Sequence, residues 1–275
     1  MDDAPDCQQG VSSKDCEMAD THPSAMTWAL AGLLKRISQE EELEVLRDEA
    51  IQLSKSVNRA DIAKAEQALI DEGYPGRMVR RLSAMFTLMA LPRDNGVSSF
   101  GKLSEDHILR KIKVEHDLMG CCLADLNEVA QTIRNVDRLT DVSSEFRDLG
   151  YILGQLSIVK EHIDREEDIV FPYLRRFGWA RLCLSARDEH YEIRTGFKNL
   201  LALVTSFNEM EVHDFKEGLT TIVQRLIPIM REHLSFENEL LYPISIIAID
   251  NTNVWQRMKA LSDEMGYCSV PGPLR

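Results

Sequence analysis

His162-Ile-Asp-Arg-Glu-Glu-Asp-Ile-Val-Phe-Pro172 and His233-Leu-Ser-Phe-Glu-Asn-Glu-Leu-Leu-Tyr-Pro243 follow one pattern, His-x3-Glu-x4-aromatic-Pro. A given histidine opens such a string by chance with a probability on the order of 10⁻⁴, so two copies call for one explanation. Residues four apart share a helix face, so His162 points with Glu166 and His233 with Glu237. Each pair interrupts an apolar stripe. Ile158, Val159, Ile169 and Val170 flank the first pair; Leu226, Ile229, Met230, Leu240 and Leu241 flank the second.

Two more periodic stretches carry one histidine each. His116 sits among Leu109, Ile112, Met119 and Leu123, and His190 among Leu182, Ala186, Ile193 and Phe197. Four helices therefore direct four histidines and two glutamates into one core. A carboxylate in an apolar core is costly unless paired or metal-bound. No Lys or Arg falls on these stripes, and Asp164, Arg165 and Asn238 are assigned to other faces. Two divalent cations would neutralise the cluster, and facing helices of a bundle can build such a site.

Working outward, long helical patterns are expected near 105–136, 144–171, 179–207 and 212–242. The connections between them are short, which favours antiparallel neighbours. The expected fold is all-α, an up-down-up-down four-helix bundle over 105–245. A short helix near 252–265 lies in the closing segment, 246–275. Upstream, 24–90 reads as a small helical module of about four helices. Asn58-Arg-Ala-Asp61 is a capping box opening its third helix, Gly73 is that helix's left-handed cap, and Pro75 suits the first turn of the fourth. Turn formers make 91–104 a linker, and 1–23 reads as a disordered acidic tail.

Composition narrows the function classes. The 275 residues are 44% hydrophobic and 28% charged, with 32 Lys and Arg against 45 Asp and Glu, a net charge of −13. That balance repels phosphate backbones and anionic membranes, so neither nucleic acid nor a membrane is an expected partner. No apolar run is long enough to span a bilayer, and the N-terminus lacks the apolar core of a secretory signal. The six cysteines form no CxxC pair, consistent with reduced thiols and a cytoplasmic location.

The order H … HxxxE … H … HxxxE, with aromatic-Pro after each HxxxE, resembles the hemerythrin-like (HHE cation-binding) family over about 105–245. The resemblance implies two iron ions in an oxo- or hydroxo-bridged centre that meets dioxygen, nitric oxide or peroxide. His116, His162, His190 and His233 would be terminal ligands, and Glu166 and Glu237 bridging ones. Oxygen-carrying hemerythrins have a second histidine four residues after the third-helix one, where this chain has Arg194. Six protein ligands rather than seven resemble the set in bacterial proteins that repair stress-damaged iron–sulfur centres. Each iron would then be five-coordinate and open to an exogenous ligand. The module at 24–90, with its Ala65-Glu-Gln-Ala-Leu-Ile-Asp-Glu-Gly73 string, is similar to a domain of unknown function that precedes hemerythrin-like domains in some bacterial proteins. The expected role is binding or sensing of dioxygen or nitric oxide, with the module reporting to a protein partner or stabilising the bundle. The alternatives are iron–sulfur repair, reduction of nitric oxide or peroxide under stress, and iron storage.

Neighbouring residues have plainer readings. A glutamate precedes each ligand candidate: Glu115, Glu161, Glu189 and Glu232. A residue at i−1 is rotated by about 100° from its neighbour, so all four read as solvated flanks, with a supporting role behind the ligands as the alternative. Glu167 is off the stripe, though a local shift would bring it into the site. Cys121 and Cys122 read as thiols of a helical core. Tyr173, Tyr191 and Tyr242 are unranked as hydrogen-bond donors to a bound ligand. His22, His107 and His213 read as non-ligands, and Pro228 is expected to kink the fourth bundle helix.

Overall fold

The computed structural model describes residues 24–39, 41–90, 103–141 and 143–266. The expected acidic tail, most of the linker and the C-terminal tail lie outside them. The described residues are helical, with no strand among them.

Four short helices come first: α1 (Ala25–Ser38), α2 (Leu43–Ser54), α3 (Arg59–Asp71) and α4 (Gly76–Ala90). The expected capping box is formed, with the Asn58 side chain accepting from the Asp61 N–H and the Asp61 carboxylate from the Asn58 N–H. Gly73 adopts φ +97°, and the Tyr74 N–H reaches back to the Leu69 carbonyl, closing α3 as a Schellman turn. Leu30, Leu34, Leu46, Leu69, Val79 and Phe86 form the core of this group.

The bundle follows. Its first helix is α5 (Ile108–Asn135), capped by His107, whose ring Nδ1 accepts from the Leu109 N–H. Its third is α9 (Ala180–Thr205). The second and fourth are segmented where the sequence reads as continuous. The second runs through α6 (Ser144–Gln155), α7 (Ile158–Arg165), a π-turn at Glu166–Val170 and α8 (Phe171–Arg176). The fourth comprises α10 (Val212–Phe236), a π-turn at Glu237–Leu241 and α11 (Tyr242–Ala248). Pro228 lies within α10, which continues past it. Finally, α12 (Thr252–Met265) packs against α5, and α4 packs against α9.

The two π-turns have a sequence cause. Each begins at the glutamate of HxxxE and ends just before the aromatic-Pro pair. Proline has no N–H, so it cannot donate the i→i−4 bond an α-helix would place there. The ladder widens instead, and the N–H groups of Phe171 and Tyr242 bond five residues back, to the Glu166 and Glu237 carbonyls. Such π-bulges concentrate at functional sites.

Two apolar clusters fill the bundle. One holds Met119, Leu123, Ile193, Leu200, Leu219 and Met230; the other holds Ile112, Ile169, Ala186, Leu240 and Ile244. The histidine–glutamate layer separates them. Along α5 the order is Ile112, His116, Met119, and along α9 it is Ala186, His190, Ile193.

Candidate metal centre

The structure brings all six predicted residues together. His116, His162, His190, His233, Glu166 and Glu237 are at most 3% exposed. Each histidine aims Nε2 inward. His116 Nε2 lies 3.2 Å from His162 Nε2 and 3.2 Å from Glu237 Oε2. His233 Nε2 lies 3.1 Å from Glu237 Oε1, and His190 Nε2 lies 3.3 Å from Glu166 Oε2. His162 Nε2 is 3.6 Å from Glu166 Oε2 and 3.7 Å from Glu237 Oε2.

These atoms form two overlapping groups able to hold a cation. One comprises Glu166, His190, His233 and Glu237; the other comprises His116, His162 and Glu237. Glu237 belongs to both. The donors fit metal chemistry, because Glu166 Oε2, His190 Nε2, His233 Nε2 and Glu237 Oε1 are buried without a hydrogen-bond partner. Buried polar atoms are otherwise almost always paired. Donors about 2.0–2.2 Å from a shared ion lie some 3–4 Å apart, as these do.

Each imidazole is oriented from behind through Nδ1. His162 Nδ1 meets Glu115 Oε2 at 3.1 Å, and His233 Nδ1 meets Glu189 Oε2 at 3.0 Å. His190 Nδ1 meets Glu167 Oε1 at 2.8 Å, and His116 Nδ1 meets Asn238 Oδ1 at 3.0 Å. A carboxylate or amide oxygen there fixes the Nδ1–H tautomer and leaves Nε2 as the donor to a metal. Guanidiniums hold the three carboxylates. Arg165 donates to Glu115 at 2.7 Å, Arg81 to Glu189 at 2.9 Å and Arg194 to Glu167 at 2.9 Å.

These contacts correct the sequence readings of Glu115, Glu189, Arg165 and Asn238. Glu115 and Glu189 are buried partners of the site, not solvated flanks; each serves the histidine of the neighbouring helix, not the one beside it. Glu161 and Glu232 are exposed, as expected. Arg165, assigned to an outer face, is 1% exposed and tied to Glu115, and Asn238 turns inward to His116. Glu167, off the stripe in an ideal helix, reaches His190 from within the first π-turn.

Of the three tyrosines left unranked, Tyr242 is the one that reaches the cluster. Its buried hydroxyl donates to Glu166 Oε1 and lies 3.2 Å from His116 Nε2 and 3.3 Å from Glu237 Oε2. Its place in the aromatic-Pro pair was the available signal. Its counterpart Phe171 stacks on His190 with ring centroids 5.6 Å apart. Tyr191 is exposed, and Tyr173 lies under the Arg176 guanidinium. Cys121 is exposed and Cys122 buried; both are free thiols. His213 is exposed.

Electrostatics show how strongly the pocket attracts positive charge. Burial acts to lower the His162 imidazole, but Glu166, Glu115 and Glu237 outweigh it and raise it to about 10. His190 is likewise raised despite burial, by Glu166, Glu167 and Glu237. Burial opposes ionisation of Glu237, yet His233 and the other imidazoles hold its carboxyl well below the ordinary range. Burial and the nearby carboxylates push the Tyr242 phenol up, so it remains a donor. With the outer glutamates matched by Arg165, Arg81 and Arg194, the carboxylates of Glu166 and Glu237 draw their balancing charge from the raised imidazoles or from bound cations.

The comparisons agree with this geometry. A search of curated proteins gives no match. The family of unknown function DUF438 matches residues 30–85. The hemerythrin HHE cation binding domain matches residues 107–245, the stretch that supplies all six inward-facing donors, and the chain is a metal-binding member of that family.

Proposed function

We propose that the chain is a non-haem di-iron protein. His116, His162, His190 and His233 serve as terminal ligands, Glu166 and Glu237 bridge, and the centre binds or senses dioxygen or nitric oxide. The observation that carries this reading is the set of four buried donor atoms without partners, on Glu166, His190, His233 and Glu237, beside a second group, His116, His162 and Glu237, that shares Glu237 with the first. Imidazole and carboxylate suit several first-row metals, and the family favours iron.

Bound iron would supply redox-active positions for a small ligand. The chain's own residues do the rest. Glu115, Glu167, Glu189 and Asn238 hold the imidazoles in one tautomer. Tyr242 places a hydroxyl against Glu166, where it can steady that carboxylate or turn toward a bound ligand. The apolar layers above and below exclude bulk water, which strengthens each charge interaction inside.

One observation favours a second role, iron–sulfur repair or reduction of nitric oxide or peroxide. Arg194, where oxygen carriers have a seventh ligand, bonds Glu167 and Asp164 and stays outside the Nε2 cluster. With no donor from that position, bound metal would be left room for an exogenous ligand. Anaerobic reduction followed by exposure to dioxygen or nitric oxide separates the roles. A reversible spectral change supports binding or sensing. Steady consumption of nitric oxide or peroxide, or transfer of iron to an apo-cluster protein, supports the second role. The absence of any spectral response contradicts both.

A further inference from the structure

The two halves of the site correspond, but they differ at the residue that precedes each bridging candidate. In the first half, Arg165 precedes the bridging candidate Glu166 and donates to Glu115, which orients His162. In the second half, the residue before Glu237 is Phe236, which cannot donate to Glu189 behind His233. The guanidinium there comes from outside the bundle. Arg81 of α4 lies over the Phe236 ring, 4.6 Å from its centroid, and donates to Glu189 at 2.9 and 3.0 Å. Its other terminal nitrogen reaches Glu232 at 2.7 Å.

We propose that the N-terminal module completes the metal centre. Arg81 is a positioning residue that takes the place Arg165 occupies in the other half, so docking of α4 and occupancy of the metal site are linked through Glu189 and His233. Glu189 is buried, and leaving its charge unpaired would be costly. A metal at His233 Nε2 draws electron density from the ring and strengthens the Nδ1–H bond to Glu189. Arg81 senses that change directly. By reciprocity, whatever draws Arg81 away from Glu189 weakens the metal. Arg77 contributes at longer range, 3.9 Å from both Glu189 and Glu232. This inference rests on His233 being a metal ligand.

The test uses the full chain, Co2+ as the probe, and the variants Arg81→Met and Glu232→Gln. Two quantities are read: Co2+ affinity, and amide exchange across residues 76–90 with and without Co2+. Glu232→Gln weakens the docking contact without touching Glu189. The expected result is a roughly tenfold or greater loss of affinity in Arg81→Met and none in Glu232→Gln. Co2+ should slow exchange in α4 of the unaltered chain but not of Arg81→Met. Equal affinity in Arg81→Met and the unaltered chain overturns the proposal, as do equal losses in both variants. If Arg81→Met does not fold, exchange in the unaltered chain still decides, because an α4 indifferent to Co2+ overturns it. Failure of the unaltered chain to bind Co2+ would overturn the metal reading itself; binding that ignores Arg81 overturns this proposal alone.

Discussion

At the scale of single residues, the six inward donors are not equivalent. Glu237 faces three of the four histidines through one oxygen or the other at 3.7 Å or less, besides His233 on its own helix face. Glu237→Ala should abolish the dinuclear centre, whereas Glu232→Ala, at an exposed position, should leave it intact. Metal analysis of the two purified variants checks this, and a full metal complement in Glu237→Ala would reject the bridging assignment. Tyr242→Phe removes the donor to Glu166 but keeps the ring; metal should remain bound while the absorption spectrum of the iron-loaded centre shifts, and an unchanged spectrum would show that the hydroxyl does not act on the site. The inner donors were legible in the sequence because each histidine or glutamate interrupts an apolar stripe on its own helix. The outer partners were not. Glu115 and Glu189 reach across to a neighbouring helix, and a stripe describes only one helix at a time.

At the scale of elements, the aromatic-Pro pairs explain the π-turns. Pro243→Ala restores an N–H and allows an ordinary α-turn from Tyr242 onward. That turn would shift Tyr242 relative to Glu237 and carry its hydroxyl away from Glu166, so metal affinity should fall while helix content is kept. Circular dichroism with metal titration checks it, and unaltered affinity would mean that packing, not proline, sets the turn. In the first module, Asn58→Ala removes the side-chain cap of α3 and should cost about 1 kcal/mol, read from denaturant unfolding. Asp61 offers a pH signature there. The Ser24 hydroxyl, then the Asn58 N–H and the Thr27 hydroxyl, hold its carboxyl below the usual carboxylate range. The stability this provides is full above the unfolded-chain value and is lost as the pH falls through the lower folded value. Asp61→Asn should therefore flatten the acid limb of thermal unfolding; an acid limb as steep as that of the unaltered chain would contradict this. The helix positions and the Asn58 and Gly73 caps were readable from local chemistry. The interruption at Leu156 and Ser157 was not, since both residues keep right-handed helical angles.

At the scale of the whole molecule, the chain is arranged around one buried polar layer. The bundle supplies the donors between two apolar clusters, and the appended helices reach the same layer from outside. Arg165 also donates to the Gly266 carbonyl at the end of α12, just as Arg81 ties in α4. Among the described residues no helix is long and apolar enough to cross a membrane. A cytoplasmic location and a protein partner for the first module remain proposals from the sequence. The role of Arg81 was not visible there, because it depends on which face of one module meets another. In the proposed centre, cations hold the six buried groups together. Metal analysis of the full chain, reconstituted anaerobically with ferrous iron and freed of excess, is the most direct measurement. The predicted result is roughly two irons per chain, as expected for a centre with two bridging carboxylates. A chain that retains no iron yet keeps its fold would contradict the account.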